Sequence, residues 1–232
     1  MSAREVGRVA GLWRYPVKSM AAEALTSVEV GWAGFAGDRR WAFVRGDVPR
    51  SGFPWMTIRE DAAMLEHVPR FVEPGQPDKS RVMVRTPGGA ELDVIDPELA
   101  ASLGNGVRVI KQDRGVFDAM PLSLITTAGI ADLSGLVGFE LHPQRFRPNL
   151  LVESDVREDK WLGRELRIGG FSMRVDERDS RCVIVNIDPT TLERSPSVLR
   201  TLAQERSACI GVYGSCVSPG LVAVGDPVLL EP

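Results

Sequence analysis

The sequence predicts a β-rich mixed α/β fold in which a barrel core carries peripheral helices. Short apolar stretches recur along the chain, Gly, Pro and Asp turn signals separate them, and a few longer stretches show helical spacing. Apolar residues make up 44% of the chain and charged residues 25%, a balance typical of a globular protein rather than a disordered one.

The N-terminal part is rich in predicted hairpins. Residues 6–17 and 25–47 alternate as strands and are bounded by turn residues. Residues 60–68 are predicted to form a short helix that the following prolines end. A second hairpin is expected from residues 81–86 and 90–96, which Pro-Gly-Gly joins.

The rest of the chain mixes helices and strands. Helices are predicted at 97–104, 127–138 and 196–206, with a Ser/Thr start and a glycine end for the second. Strands are predicted at 107–112, 145–154, 164–177 and 181–189, and on both sides of Ser-Pro-Gly in 212–232. We expect an N-terminal β-rich domain over residues 1–100 and a second domain over residues 101–232.

Composition excludes several classes of function. The 28 basic and 31 acidic side chains give a net charge of −3, so no global field attracts nucleic acid or an anionic membrane. No stretch is apolar enough for a signal peptide or a membrane span, and we expect a cytoplasmic protein. Three cysteines without a CxxC pair and two histidines argue against a disulfide framework and against a cysteine-cluster or multi-histidine metal centre.

One thiolate therefore remains as a candidate metal ligand. Cys182 follows Arg181, and an adjacent guanidinium favours the thiolate form that binds metals. Basic residues also stand where predicted strands meet loops, at Lys18, Arg39, Arg59 and Arg147. Such groups suit a phosphate, although an ordinary buried cysteine and solvated surface charges fit the same pattern.

Six motifs occur in one order along nearly the whole chain. They are YPVKS, GDRRW, RFRPNLLVE, EDKWLG, SRCVIVNIDPTT, and a last run with GVYG, SPG and VAVGDPV. This order resembles the MOSC family with its N-terminal β-barrel extension. It is most similar to the branch that includes the mitochondrial amidoxime-reducing component and bacterial reductases of N-hydroxylated bases.

The resemblance implies a molybdenum cofactor, a molybdopterin whose metal takes one protein cysteine. Cys182 matches the ligand position and is expected to be catalytic. The positions that match cofactor-binding motifs, the last three less closely than the others, are Lys18, Ser19, Arg39, Arg147, Arg181, Thr57, Arg59 and Asn149. Asp188 either supports the cysteine loop or simply forms an Asp-Pro turn, Asp38 either orients Arg39 or has no special role, and Trp161 fits the core.

The expected function is reduction of N-hydroxylated small molecules with electrons from a separate protein, since no cysteine cluster for an iron–sulfur domain is present. An alternative is a cofactor carrier or sulfur-transfer module, suggested by the family's link to molybdenum cofactor sulfurase. The pyridoxal phosphate of the full sulfurase is not expected here, because this chain shows no signal for that domain. A plain binding module with a structural thiol is the third possibility.

Overall fold

The computed structural model describes residues 3–48 and 53–232. Within these ranges the chain forms sixteen strands, three α-helices and four 3-10 helices. The strands are β1 (Arg4–Arg14), β2 (Glu23–Leu25), β3 (Ser27–Gly31), β4 (Gly34–Phe35), β5 (Trp41–Val44), β6 (Val68–Phe71), β7 (Val82–Arg85), β8 (Glu91–Asp93), β9 (Arg108–Lys111), β10 (Leu122–Thr126), β11 (Leu150–Glu153), β12 (Glu165–Ile168), β13 (Phe171–Ser180), β14 (Cys209–Ser218), β15 (Gly220–Ala223) and β16 (Pro227–Leu230). The helices are α1 (Pro97–Leu103), α2 (Thr127–Val137) and α3 (Ser197–Arg206), and the 3-10 helices are Ala62–Glu66, Pro143–Phe146, Glu158–Trp161 and Val183–Asn186.

The chain divides into two compact units. Unit 1 comprises the residues up to Trp13, Ala24–Ala36 and Ala119–Pro232, and unit 2 comprises Arg14–Glu23 and Gly37–Asp118. These units are defined by spatial compactness, so the expected domain ranges of 1–100 and 101–232 stay a prediction.

Unit 1 contains a closed barrel of seven strands. The strands follow the order β11, β10, β14, β13, β12, β16 and β1, and β1 closes the ring by pairing with β11. The pairs are antiparallel except for β10 with β11, which are parallel. Closure leaves no open sheet edge in the ring. The predicted β-rich class with a barrel core and peripheral helices is confirmed.

The barrel interior forms one apolar cluster. Side chains that alternate along each strand point inward, and the small sheet β15-β3-β4 adds further apolar residues to the same cluster. Trp161 is 1% exposed and packs in this cluster, as its core interpretation predicted. The other fully enclosed members include Leu122, Leu124, Leu150, Val152, Leu166, Ile168, Met173, Val175, Val212, Val222 and Val228.

The two predicted helices of unit 1 are confirmed. Helix α2 begins after Thr126, whose hydroxyl accepts a hydrogen bond from the backbone N–H of Gly129, and ends before Gly138, whose φ of 85° suits glycine. Helix α3 packs with α2 through an apolar cluster. That cluster comprises Ile125, Ile130, Leu133, Leu141, Phe146, Val185, Val198, Leu202 and Ile210.

Glu158 links three parts of unit 1 from a buried position. Its carboxylate accepts hydrogen bonds from the backbone N–H and hydroxyl of Thr126 and from the backbone N–H of Gly211. The 3-10 helix that carries Glu158 is thereby fixed to the end of β10 and to β14.

Replacing Glu158 by Ala is expected to lower the free energy of unfolding by about 2 kcal/mol, because it leaves buried N–H donors without an acceptor. Urea denaturation measures the change. Glu153→Ala, at an exposed position in β11, is the matched control and is expected to change stability by less than about 0.5 kcal/mol. Equal stability of Glu158→Ala and wild type would contradict this assignment.

Unit 2 contains a two-stranded sheet, β5 with β9, and a three-stranded sheet, β6-β7-β8. The predicted hairpin around Pro-Gly-Gly is confirmed as β7 and β8, and the helix predicted at 97–104 is confirmed as α1, which Asp96 caps. The helix predicted at 60–68 is wrong in type. Only Ala62–Glu66 is helical, as a 3-10 turn, because the backbone is extended at His67 and continues into β6. No helix among residues 3–48 and 53–232 has both the length and the apolar character to cross a membrane.

Candidate functional site

Cys182 lies in unit 1, on the loop that follows the end of barrel strand β13. Its backbone is extended, with φ of −109°, and its carbonyl accepts a hydrogen bond from the N–H of Val185 at 3.2 Å, which begins the 3-10 helix Val183–Asn186. The side chain is half-buried. The strand predicted at 181–189 is therefore wrong. Three consecutive apolar residues carry no periodicity that separates a strand from a tight helical turn.

Arg181 fixes the backbone next to Cys182. Its guanidinium donates to the carbonyls of Ile210 at 2.8 Å and Phe146 at 2.7 Å, and pairs with Asp179 at 2.5 Å. Its backbone N–H also donates to the carbonyl of Ala208. A guanidinium with five donors in a fixed fork suits such a junction of several carbonyls.

The amide of Asn149 contributes to a buried network in the same unit. Its oxygen accepts from the N–H of Ser123 and its nitrogen donates to the carbonyl of Trp13, so it ties β10 and β1 to the start of β11. Ser123 in turn donates its hydroxyl to Asp179, which is 1% exposed. The end of β13, directly before Cys182, is thus linked to β10 through Asp179.

Arg147 directly follows the 3-10 helix Pro143–Phe146 and is half-buried, with a left-handed backbone at φ of 51°. Arg145, two residues earlier, is buried and was missed by the sequence interpretation. Its guanidinium donates to the carbonyl of Val185 at 3.2 Å and to the carboxylate of Asp188 at 2.7 Å. Asp188 therefore has a bonding partner, Arg145, through which it can support the cysteine loop.

Lys18 lies in unit 2 and is buried. Its ammonium donates to the carbonyl of Val116 at 3.0 Å and to the carboxylate of Asp118 at 2.5 Å, and lies 5.6 Å from the ring centre of Phe53. Arg59 pairs with the other oxygen of Asp118 at 3.4 Å and stacks over the same ring. The two predicted cations therefore share one carboxylate and one aromatic ring.

Arg39 lies over the ring of Tyr15, with 4.4 Å from its guanidinium carbon to the ring centre. Its guanidinium pairs with Asp38, whose other oxygen accepts from the backbone N–H of Tyr15 at 2.8 Å. Asp38 is buried and holds Arg39 in place, which is the orienting role considered from the sequence.

Ser19 and Thr57 are both buried in unit 2. Ser19 has a left-handed backbone with φ of 68°. The hydroxyl of Thr57 donates to Glu60 and accepts from the N–H of Arg59, so it shapes the turn that carries Arg59.

Asp118 has an unusual electrostatic environment. Burial acts to raise its pKa, but the charge and hydrogen bond of Lys18 and the charges of Arg59 and Arg39 together hold the pKa of that carboxyl below its ordinary value. Three cations thus influence one carboxylate, which remains ionised at neutral pH. Such a cluster is suited to binding a further anion such as a phosphate.

Backbone strain coincides with the predicted positions. In the part of the chain that the structure describes, six residues other than glycine have positive φ, and three of them are Ser19, Arg39 and Arg147. Such conformations are costly and cluster at functional sites.

The two histidines and the other two cysteines are not among the predicted site residues. His67 is buried and contacts the carbonyl of Ala63, while the His142 ring accepts from the N–H of Gln144. Cys209 and Cys216 are half-buried on β14, and burial raises the pKa of the Cys216 thiol. Among residues 3–48 and 53–232, no three His, Cys, Asp or Glu side chains are grouped to hold a metal ion.

The fold and these residues define a β-barrel protein with a half-buried thiol next to Arg181, on a loop bonded to buried Arg145, and, in its second unit, a cationic cluster. Residues 111–229 match the MOSC domain, and residues 6–119 match the MOSC N-terminal beta barrel domain. The chain belongs to the MOSC family.

Similar proteins include two amidoxime-reducing components and a sulfurase. Mitochondrial amidoxime-reducing component 1 of Homo sapiens is 32% identical over 128 residues, 49% of this chain and 37% of that protein. Mitochondrial amidoxime reducing component 2 of Bos taurus is 32% identical over 127 residues, 48% of this chain and 37% of that protein. Molybdenum cofactor sulfurase of Drosophila mojavensis is 26% identical over 136 residues, 52% of this chain and 18% of that protein. The match therefore spans little more than a third of the amidoxime-reducing components.

A solved structure has a similar fold. The YUAD protein from Bacillus subtilis aligns with a TM-score of 0.53 over 99% of this chain and 98% of that one, at 12% identity. At this identity the likeness concerns the fold alone.

Proposed function

We propose that this protein is a molybdenum-cofactor-dependent oxidoreductase that reduces N-hydroxylated small molecules. The observation that carries the proposal is the position of Cys182, a half-buried thiol on the loop that follows a barrel strand, with Arg181 and Arg145 bonded to the backbone around it. Membership of the MOSC family and similarity to proteins named amidoxime-reducing components support the choice of reaction.

The donor set fits such a cofactor. A thiolate is a soft ligand that suits a metal already bound by sulfur. Lys18, Arg39 and Arg59 supply the cations that a phosphate requires, and the strained backbones of Ser19, Arg39 and Arg147 are typical of binding positions. On the family's motif positions, we assign Cys182 to the metal and the cations to the anionic group of the cofactor.

The protein's part in the reaction is to bind and orient. The bound molybdenum cofactor supplies the two-electron chemistry. The overall reaction takes an N–OH group, two electrons and two protons to an N–H group and water. A separate electron-transfer protein would supply the electrons, as the sequence interpretation expects.

Turnover with a chemical reductant tests the proposal. The full chain is produced in a host that makes the cofactor, and conversion of an amidoxime to the amidine is measured with reduced viologen. Protein from a host that cannot make the cofactor is the matched control. The proposal predicts amidine formation that scales with molybdenum content. Equal conversion by both preparations would contradict it.

A second candidate function is a cofactor carrier or sulfur-transfer module. The similarity to a protein named molybdenum cofactor sulfurase favours it. In that case Cys182 would hold the cofactor or a sulfur atom in transit. Tight cofactor binding without amidoxime turnover would favour this candidate over the reductase.

A further inference from the structure

Arg145 is a buried cation bonded to the loop that begins at Cys182. Its side chain is 2% exposed, and it donates to the carbonyl of Val185 at 3.2 Å and to Asp188 at 2.7 Å. A buried charge is costly unless it is paired and hydrogen-bonded. These partners therefore fix where the guanidinium can lie.

The two acceptors of Arg145 stand three and six residues after Cys182. Val185 is already bonded to Cys182 through its N–H, and the N–H of Ile187 donates to the carbonyl of Ile184, which continues the turn. The other carboxylate oxygen of Asp188 accepts from the N–H groups of Thr190 and Thr191. Arg145 thus bridges the 3-10 turn after Cys182 to the Asp188 turn.

Asp188 is ionised at neutral pH. Burial acts to raise its pKa, but the N–H groups of Thr190 and Thr191 and the Arg145 guanidinium together hold it below the ordinary value. The contact with Arg145 is therefore a charge-assisted hydrogen bond, which is stronger than a neutral one.

We propose that Arg145 is a positioning residue for Cys182. By bridging the Val185 carbonyl and the Asp188 carboxylate, it holds the loop in the conformation that sets the place and direction of the Cys182 sulfur. The Arg181 guanidinium anchors the residue directly before Cys182, and Arg145 bonds to the loop three and six residues after it. The metal-binding consequence rests on the proposed function, whereas the loop restraint belongs to the protein alone.

The test measures the reactivity of the Cys182 thiol without metal. Cys209→Ser and Cys216→Ser together leave one thiol, and its reaction rate with Ellman's reagent is compared for wild type, Arg145→Met, Arg145→Lys and Asp188→Asn. Arg200→Met, at an exposed position on α3, is the matched control. Asp188→Asn keeps an oxygen that can accept hydrogen bonds from the N–H groups of Thr190 and Thr191. This variant tests the same contact if Arg145→Met does not fold.

Asp188→Asn and Arg145→Met are expected to raise the rate about 10-fold, because a lost charge-assisted hydrogen bond increases local opening. Arg145→Lys is expected to raise the rate less than Arg145→Met does. Its ammonium can pair with Asp188 but cannot reproduce the two-pronged guanidinium contact with both Val185 and Asp188. The increase is expected to be independent of urea at low concentration, which separates loop opening from global unfolding. Amide hydrogen exchange is expected to rise in residues 182–195 and not in the barrel strands.

Rates within twofold of wild type for folded Asp188→Asn would overturn the positioning role. An increase that follows global stability alone would also overturn it. The outcome is distinguishable from failure of the proposed function. Thiol rates that rise in the metal-free variants, with a wild type that never binds molybdenum, would support the loop restraint and reject the metal assignment. Unchanged thiol rates in the metal-free variants, with a wild type that binds molybdenum when the cofactor is supplied, would reject the restraint and leave the metal assignment in place.

Discussion

Replacing Cys182 by Ser is expected to reduce amidoxime turnover by more than about 100-fold, which exceeds the usual cost of losing an outer-shell partner. Serine is nearly the same size and the side chain is half-buried, so the loop loses little packing. The hydroxyl is a hard donor that binds a sulfur-ligated metal poorly. Turnover is measured with a chemical reductant, so that the natural electron donor is not required.

The other two thiols provide the control for this prediction. Cys209→Ser and Cys216→Ser are expected to keep turnover within about twofold of wild type. Burial raises the pKa of the Cys216 thiol, so that thiol remains protonated at neutral pH and is a poor ligand. Full activity of Cys182→Ser would contradict the assignment of the ligand, and loss of activity in either control would point to that thiol instead.

Replacing Lys18 and Arg59 by Met is expected to weaken retention of the pterin by about 10-fold for each change and about 100-fold for both, because hydrogen bonds from charged groups contribute about 1.5 kcal/mol or more. Asp118 is the shared partner of both cations and is 42% exposed on its side chain, so water can solvate it when they are removed. Arg39 is less suitable for this test, since its loss would leave the buried carboxylate of Asp38 without its cation.

Pterin fluorescence after repeated dilution measures this retention. The matched control is Arg70→Met, which removes an exposed cation paired with Glu91 elsewhere in unit 2. Its retention is expected to equal that of wild type. A double variant that retains pterin as well as Arg70→Met does would show that the Lys18 and Arg59 cluster does not bind the cofactor.

The fold class was predictable because its signals are local. Turn residues and alternating apolar positions mark most barrel strands, and the capping threonine and glycine mark α2. Local predictions at two places were wrong in type for a related reason. The run after Cys182 and the stretch at 60–68 both form 3-10 turns, and neither has a periodicity that distinguishes such a turn.

The partners within the candidate site were not predictable from spacing. Lys18 bonds to Asp118, a hundred residues later in the chain, and Arg145 bonds to Asp188, 43 residues later. No local sequence pattern predicts either pair. The family resemblance predicted a site role for Arg147 in the RFRPN motif. The structure shows that Arg145, two residues earlier, makes the contacts to the cysteine loop. Motif order predicted the family, and only the three-dimensional contacts show which side chains are restrained.

Molybdenum K-edge X-ray absorption on cofactor-loaded protein tests the central claim most directly, because it counts the sulfur atoms bound to the metal. Wild type and Cys182→Ser are compared at equal molybdenum content. The ligand assignment predicts that the variant has one sulfur neighbour fewer at molybdenum, with a new oxygen or nitrogen neighbour in its place. An unchanged number of sulfur neighbours in the variant would contradict it.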